Sequence, residues 1–480
     1  MRSGITSAGV RLFLVLVSGC SSGTAPRPPL LSEMTCPDGS RWMGKPCGSE
    51  PIPSLPQPQR AAPKRPAPPG GAIVWEQLFG PGLNAGGLAV AADGAMLVVG
   101  SFTAHATFGG LPALISEGGS DAFVLKLDPA GEPVWAKRFG GTGPDGAQSV
   151  VIDTRGAAYV SGNFESPSID LGKGPMRCAG IEDLFLTKLD ESGAVLWAKR
   201  YGDPLTQVDL RLRPDPEGGV VATGWHNGKV DFGTGPLQKP WSKAFFVARV
   251  GPDGEGRFGA SFGRRLDYAG TDSAVDPSGR LYVSAGSDRT ADLAEPSGHA
   301  GTDLGPVLFA FDRDGKKVFA KRFGHGADNL TTAVAASPDG QVRLVSASPG
   351  TTRFGDTERT PTGGEASLTV TSFDGEGHVL WTKELLSGPT VSVSDAKGDA
   401  AGNTYVVGQV GERLAFGSRS NGFVIKVTPS GEVAWMKTIA DGARAWLSAV
   451  DLDPAGRITV AGSVAGVDGK NRLYLAKLQP

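Results

Sequence analysis

An aromatic residue recurs along the chain at a nearly constant interval. The intervals between successive copies are 60, 62, 61, 61, 62 and 54 residues, and the positions are Trp75, Trp135, Trp197, Phe258, Phe319, Trp381 and Trp435. Seven copies at such a spacing indicate one repeat array rather than several unrelated domains.

Each repeat also contains two short turns, such as Asp128 to Gly131 and Asp153 to Gly156. Asp or Ser in the first position and Gly in the fourth are typical of a type I turn. Apolar segments flank both turns, so a unit contains four strands, which we label A to D. In the second unit these are predicted at 149–153, 157–164, 183–190 and 195–202.

Four short strands per unit, seven units and no helical periodicity predict an all-β protein. The architecture that fits is a seven-bladed β-propeller of four-stranded blades, spanning residues 72–480. An open β-solenoid is the alternative, but its coils usually repeat in about half this length.

The two ends of the array are out of phase with each other. The array begins at 72–79 with a D strand that lacks its C partner, and it ends at 473–478 with a C strand that lacks its D partner. An open array would need polar caps at its ends. We therefore expect the last blade to be closed by the N-terminal and C-terminal strands.

A lysine follows the recurrent aromatic by two residues in most units, at Lys137, Lys199, Lys321, Lys383 and Lys437. Strand D is expected to be the outermost strand of each blade, with one unpaired edge. Lysine on such an edge discourages edge-to-edge aggregation, and this is the role we predict for it.

The unit resembles that of the seven-bladed β-propeller repeat proteins of bacterial surfaces. The resemblance is clearest in Trp135-Ala-Lys-Arg-Phe-Gly140, Tyr159-Val-Ser-Gly162 and Asp183-Leu-Phe-Leu-Thr-Lys-Leu-Asp190. It covers about 72–478 and departs from the pattern at Phe258, at Phe319 and in the short sixth interval. That family is defined largely by its fold, so the resemblance implies little chemistry.

Residues 1–19 have the composition of a secretory signal peptide: a basic start, the apolar run 12–17 and small residues before Cys20. Val17-Ser18-Gly19-Cys20 resembles the lipobox of bacterial lipoproteins, which implies a lipid on Cys20. Because Ser21 follows, the resemblance implies an exported protein anchored to the bacterial outer membrane. An ordinary signal peptide with a chance cysteine, or a short anchor helix, is the alternative.

Residues 20–71 form the second segment. Cys36 and Cys47 are predicted to form a local disulfide, because an exported protein favours disulfides and a zinc site would need two more ligands nearby. Residues 51–71 are proline-rich and predict an extended linker. Cys178 is not assigned to a predicted disulfide.

Composition excludes some functions. The net charge is −2 and no Lys/Arg run stands out, so no nucleic-acid partner is expected. The GxGxxG match at 141–146 runs into a predicted strand rather than a helix, so it is not a cofactor loop. Asp312-Arg-Asp-Gly315 is a turn that lacks the further ligands of a calcium loop. No metal, cofactor or catalytic residue is predicted, and a monomer is expected.

The B–C and D–A connections share one face of a propeller, and the B–C segments are long and variable. Variable loops on a rigid scaffold are where binding usually resides, so this face is the predicted interaction surface. The richest polar and aromatic cluster on these connections is Trp225, His226, Trp241, Arg264, Arg265 and Tyr268, which we predict as ligand contacts. The alternative is that both tryptophans pack between blades.

The sequence leaves three functions open. The first is a membrane-anchored lipoprotein whose propeller binds a protein or glycan without catalysis. The second is a propeller enzyme, such as a polysaccharide lyase or a quinone-dependent dehydrogenase. The third is a purely structural envelope protein.

Overall fold

The computed structural model describes residues 70–153, 155–237, 244–262, 271–287, 305–323, 331–354, 357–361, 366–413, 418–439 and 444–480. In these ranges no helix is long and apolar enough to cross a membrane. The predicted signal peptide (1–19), Cys20, the Cys36–Cys47 pair and most of the linker lie outside the described residues. Those assignments stay predictions.

Seven antiparallel four-stranded sheets form the ring, which confirms the predicted seven-bladed β-propeller. In the order A, B, C, D the strands are Leu83–Val90, Met96–Phe102, Asp121–Leu127 and Pro133–Phe139 in blade 1; Asp145–Ile152, Ala158–Phe164, Asp183–Leu189 and Val195–Tyr201 in blade 2; Gln207–Pro214, Val220–His226, Ala244–Val250 and Gly256–Phe262 in blade 3; Thr271–Val275, Leu281–Ser287, Gly305–Phe311 and Lys317–Arg322 in blade 4; Thr331–Ala336, Val342–Pro349, Ala366–Phe373 and Val379–Gly388 in blade 5; Thr390–Gly398, Thr404–Arg413, Ser418–Val427 and Val433–Ile439 in blade 6; and Ala445–Leu452, Ile458–Ala465, Asn471–Leu478 and Ile73–Phe79 in blade 7.

Within the described residues, short two-stranded hairpins extend from three of the B–C connections. They pair His105–Ala106 with Leu114–Ile115, Ser168–Asp170 with Pro175–Arg177, and Thr352–Phe354 with Thr357–Arg359. All three lie on the face where the sequence predicts variable loops.

Blade 7 is completed by both ends of the array. Ile73–Phe79 pairs antiparallel with Asn471–Leu478, with Phe79 opposite Leu473. The backbone amide of Gly71 donates to the carbonyl of Gln479 at 3.1 Å, and the amide of Gln479 donates to the carbonyl of Ala72 at 2.8 Å. The described start and the end of the chain thus meet where the other blades have a C–D turn.

The recurrent aromatic connects each blade to the next. The ring of Trp75 in blade 7 lies against Gly131 in the C–D turn of blade 1, and Trp135 of blade 1 lies against Gly193 in the C–D turn of blade 2. The remaining pairs are Trp197 with Gly254, Phe258 with Gly315, Phe319 with Gly377, Trp381 with Gly431, and Trp435 with Gly70 and Gly71. A Cβ on most of these glycines would touch the ring, so the glycine leaves room for the aromatic.

The lysine beside the aromatic reaches the same neighbouring turn. Lys199 Nζ lies 2.6 Å from the Glu255 carboxylate, and Lys321 Nζ donates to the Gly377 carbonyl at 2.6 Å. We predicted an edge-protecting role for these lysines. Lys199 and Lys321 also bind the next blade.

The core is divided among the gaps between neighbouring blades. One buried cluster combines Val99 and Val124 of blade 1 with Val160 and Phe185 of blade 2. Burial of such side chains contributes about 25 cal/mol per Å² of apolar area. Because each sheet is covered by neighbours on both faces, its B and C strands are apolar almost throughout.

Substituting the turn glycine tests the contact between blades. Gly377 and Gly340 both have a φ of +80°, but a Cβ on Gly377 would lie 3.0 Å from the Phe319 ring whereas a Cβ on Gly340 would meet nothing within 4 Å. Gly340→Ala should cost about 1 kcal/mol for the left-handed backbone alone. Gly377→Ala should cost a further 1–3 kcal/mol, roughly, from overpacking.

Urea unfolding of the two variants measures this difference. Equal losses in the free energy of unfolding would mean that the aromatic contact does not constrain the turn.

Candidate functional site

Two of the six predicted ligand contacts fall within the described residues. Trp225 and His226 end strand B of blade 3, whereas Trp241 lies in the range 238–243 and Arg264, Arg265 and Tyr268 lie in 263–270, all outside the described residues. The structure therefore places the first pair and leaves the cluster as a whole a prediction.

Trp225 and His226 are both buried, with 4% and 1% of their surface exposed. Trp225 packs in the core between blades 3 and 4, next to Phe245 and Val283. His226 Nδ1 lies 2.6 Å from the Gly228 carbonyl and its Nε2 lies 2.7 Å from the Ser261 hydroxyl. Burial lowers the pKa of His226, so the neutral ring donates to Gly228 and accepts from Ser261. Both side chains serve packing here.

The axis of the ring is occupied by charged side chains from the innermost strands, A. Three cations and three carboxylates lie two or four residues before the A–B turn, and they are Arg211, Arg213, Lys397, Asp272, Asp395 and Asp451. The set has no net charge. It lies closer to the A–B turns than to the opposite face.

Arg213 is the centre of this axial network. Its Nη2 lies 2.6 Å from Asp272 of blade 4 and 2.7 Å from Asp395 of blade 6. Because blades 3 and 6 are not neighbours, the second contact crosses the centre of the ring. Burial alone lowers the pKa of Arg213, but attraction by Asp272 and Asp395 outweighs it and raises that pKa.

The carboxylates of the axial network also bind backbone amides of the following blade. Asp272 accepts from Val334 N at 2.9 Å and Asp395 accepts from Val450 N at 3.0 Å. Burial raises the pKa of Asp272, and Arg213 opposes the shift. Buried carboxylates need such partners, so the axial network fixes the innermost strands relative to one another.

A cavity of about 300 Å³ opens at the other end of strands A, between blades 1 and 2. This mouth cavity lies on the B–C/D–A face, as the sequence predicts for a binding surface. Its polar lining includes Asn84, Ser101, Gln148, Asn163 and Glu165.

A chain of hydrogen bonds runs along the mouth cavity. Gln148 accepts from Leu210 N at 3.1 Å, and its Nε2 donates to Asn163 Oδ1 at 2.7 Å. Asn163 Nδ2 in turn donates to the Glu182 carboxyl. The amide orientations are therefore fixed by the scaffold, which is what a preorganised binding site requires.

Glu182 has an unusual protonation equilibrium. Burial, followed by the charge of Glu165, raises its pKa to about 7, although the hydrogen bond from Asn163 opposes the shift. Burial also raises the pKa of Glu165, with a contribution from Asp145. A carboxyl group that titrates near neutral pH can exchange a proton with a bound ligand.

The sequence analysis did not identify the residues that line the mouth cavity, or Glu182, which is hydrogen-bonded to one of them. Asn163, Glu165 and Glu182 stand at the ends of strands B and C, where polar residues usually only terminate a strand. Their positions in the sequence could have identified them, because Glu165 and Glu182 are the first and last residues of one B–C connection. The two ends of such a connection lie close together in a blade.

The rejected motifs are structural. Residues 141–146 lead into strand Asp145–Ile152, and Asp145 accepts from Gly141 N at 2.7 Å and from the Ser166 hydroxyl at 2.6 Å. Asp312 to Gly315 is the C–D turn of blade 4. Within the described ranges, Asp374, Glu376 and His378 bring possible ligand atoms within 4.8 Å of one another, but Glu376 and His378 are exposed and Asp374 caps its own turn.

Comparison with known proteins shows no match to any family model. An uncharacterised WD repeat-containing protein of Acanthamoeba polyphaga mimivirus is 30% identical over 122 residues, which cover 24% of this chain and 9% of that protein. The chain therefore spans a small part of that relative.

The solved structures that are similar to this chain have low sequence identity to it. The β-propeller domain of the Trilobed protease from Pyrococcus furiosus has a TM-score of 0.44 and 10% identity over 82% of this chain and 93% of that one. The PQQ-bound aldose sugar dehydrogenase of Streptomyces coelicolor has a TM-score of 0.36 and 14% identity over 86% and 100%. These similarities do not distinguish a binding role from a catalytic one.

The raised pKa of Glu182 predicts a pH-dependent stability. The pKa of Glu182 in the folded protein, about 7, exceeds its ordinary value of 4.5. The stabilising contribution of Glu182 to the free energy of unfolding is therefore complete below pH 4.5 and is lost as the pH rises through 7. Glu182→Gln cannot ionise. Its free energy of unfolding should therefore rise relative to the native protein by about 1–3 kcal/mol between pH 5 and 8.

Urea unfolding across this pH range measures the difference between the two proteins. Glu376→Gln, at an exposed turn on the opposite face, is the matched control and should show no such trend. A difference curve for Glu182→Gln as flat as that of the control would contradict the buried, shifted carboxyl group.

Proposed function

We propose that this propeller is a non-catalytic binding module of an exported, lipid-anchored envelope protein, and that it binds a hydroxyl-rich glycan at the mouth cavity. The observation that supports this most is the chain of hydrogen bonds that joins the amides of Gln148 and Asn163 to the carboxyl group of Glu182. When a glycan binds, its hydroxyl groups lose hydrogen bonds to water. Amide and carboxyl groups that are held in place can replace those hydrogen bonds.

The ion pairs across the axis favour binding at the rim over a substrate channel. Since the mouth cavity lies beside the axis between blades 1 and 2, and Arg213 crosses the centre of the ring, a ligand in the cavity would have one side open to solvent. A polymer such as a glycan chain can lie across such an opening with one unit inserted. The variable B–C connections would then adjust specificity.

The position and the raised pKa of Glu182 support a second candidate function, that of an enzyme acting on the same glycan. A carboxyl group with a pKa of about 7 next to Glu165 has the property that general acid catalysis needs. Binding and turnover have different measurable outcomes, so one experiment distinguishes them.

Membrane attachment through Cys20 completes the proposal. The linker of residues 51–71 would hold the propeller away from the membrane. The signal-like residues 1–19 and the lipobox-like Val17 to Cys20 support this part.

A glycan array with the mature chain tests the binding proposal. The protein should bind at least one class of bacterial envelope oligosaccharide. Asn163→Ala should weaken that binding about five- to tenfold, the effect of losing one or two hydrogen bonds, and Glu376→Gln should leave it unchanged.

Mass spectrometry of the bound oligosaccharide then separates the two candidates. An unchanged mass agrees with a binding module. Cleavage that stops in Glu182→Gln while binding persists would replace it with an enzyme. Absence of any glycan bound by the native protein would overturn both.

Cell fractionation tests the anchor. The native protein should sediment with outer membranes, and Cys20→Ala, which lacks the thiol to which a lipid would be attached, should move to the soluble exported fraction. A variant that stays in the membrane fraction would refute lipidation at Cys20.

A further inference from the structure

The A–B/C–D face carries a groove of about 360 Å³ between blades 1 and 2, on the side opposite the mouth cavity. This groove is lined in part by Ala91, Leu97, Lys126 and Trp135. In other blades, side chains of the blade itself occupy the equivalent position.

Blade 2 shows how the position is filled elsewhere. Its A–B turn begins with Asp153, its strand B carries Tyr159 and its strand C carries Lys188. Lys188 Nζ lies 2.8 Å from the Tyr159 hydroxyl, 3.3 Å from Asp153 Oδ2 and 3.3 Å from the Pro252 carbonyl. The cation thus has a carboxylate, a phenol and a carbonyl as partners.

Other blades keep parts of this arrangement. In blade 3, Arg249 lies 2.8 Å from Asp215, and in blade 7, Lys477 lies 3.4 Å from Asp453. In blade 6, Tyr405 lies 6.3 Å from the indole of Trp435, centroid to centroid. A carboxylate and an aromatic ring are therefore recurrent contents of this part of a blade.

Blade 1 keeps the cation and lacks its partners. The turn that begins at Ala91 has the same backbone bonds as the turn at Asp153, with the first amide donating to the fifth carbonyl at 2.8 Å in both. Ala91 thus stands where blade 2 has its carboxylate. Leu97, opposite Lys126 in the sheet, stands where blade 2 has Tyr159.

Lys126 retains one of the three kinds of partner. Its Nζ donates to the Glu191 carbonyl at 3.0 Å, as Lys188 does to Pro252. No carboxylate in the described part of the chain forms an ion pair with Lys126. A half-buried ammonium group without an anion is a favourable place for one.

Trp135 borders the groove with a ring that no tyrosine covers. In blade 2 the corresponding Trp197 has Tyr159 edge-on at 5.9 Å, whereas in blade 1 the smaller Leu97 leaves room. The Trp135 indole is held in place by packing on Gly193 and by its N–H donating to the Glu191 carbonyl at 3.4 Å. A fixed aromatic surface beside a cation favours a flat, anionic ligand.

We propose that this groove binds a small aromatic carboxylate, whose carboxylate pairs with Lys126 and whose ring lies beside Trp135. The ligand would supply the two groups that blade 1 lacks at Ala91 and Leu97. This site is independent of the proposed glycan site, because it lies on the opposite face and shares no residue with the mouth cavity.

The acidic residues that also line the groove do not compete strongly for Lys126. Asp153 pairs with Lys188. Asp93 accepts from Ala95 N at 2.9 Å, and Asp190 accepts from Ala194 N at 2.8 Å. Asp93 and Asp190 thus hold their own turns, and the Glu191 side chain lies over Gly156, with its Oε1 against the place where a Cβ on Gly156 would stand. In the described part of the chain none of these carboxylates forms an ion pair with Lys126, so the cation is left for a ligand.

Isothermal titration of the mature chain with 4-hydroxyphenylacetate tests the site. This probe carries the phenol of the missing Tyr and the carboxylate of the missing Asp. The native protein should bind it, and should bind the neutral 4-hydroxyphenylacetamide at least about tenfold more weakly, because the amide has the same shape without the charge.

The decisive variant fills the groove with the residues of blade 2. Ala91→Asp with Leu97→Tyr should abolish binding of the probe while the melting temperature stays equal or rises, because the added side chains give Lys126 the partners of Lys188. Lys126→Gln should lose the preference for acid over amide. Glycan binding should survive in all of these variants.

Three results would overturn the proposal. They are a native protein that does not bind the probe at about 10 mM, an amide that binds as well as the acid, and a folded Ala91→Asp/Leu97→Tyr variant that binds like the native chain. If the double variant fails to fold, Lys126→Gln alone decides, and an unchanged preference for the acid would reject the site.

Discussion

The pairing of Ile73–Phe79 with Asn471–Leu478 is the constraint on which the rest of the ring depends. It joins residues nearly the whole array apart, so it carries the largest loop-closure entropy of any strand pair in the ring. Once formed, it allows the seventh aromatic contact, between Trp435 and Gly70, at the meeting point of the chain ends. It also fixes the distance across the ring that the Arg213–Asp395 contact spans.

The closed ring separates two kinds of site. The axial network of three cations and three carboxylates is neutral as a whole, and each buried charge has a partner, as burial requires. The network links innermost strands on opposite sides of the ring. One face carries the mouth cavity, and the other carries the groove where blade 1 differs from blade 2 at Ala91 and Leu97.

Periodicity in the sequence predicted the number of blades, the strand order and the closure of the ring by the chain ends. Strand patterns and turn residues are local properties, and they recur in every repeat. Contacts between repeats were not predictable in this way. Gly193, which packs against Trp135, lies 58 residues further along the chain. The type I turn that contains Gly193 already accounts for a glycine at that position, so the sequence gives no sign of the aromatic contact. Charged residues such as Arg213 and Asp272 in the innermost strands are visible in the sequence, but the sequence analysis did not predict the axial network, because their pairing depends on the curvature of the ring. His226, chosen for its chemistry, is satisfied by Gly228 and Ser261 inside the blade.

Closure by the chain ends is the central claim, and amide hydrogen exchange of the native protein tests it most directly. Strand 73–79 is the outer strand of blade 7, and strand 471–478 also pairs with 458–465. The amides of 73–79 that face 471–478 and the amides of 471–478 that face 73–79 should therefore be protected to a similar degree and should exchange together. If the amides of 471–478 that face 73–79 exchange orders of magnitude faster than its amides that face 458–465, the first strand does not complete blade 7.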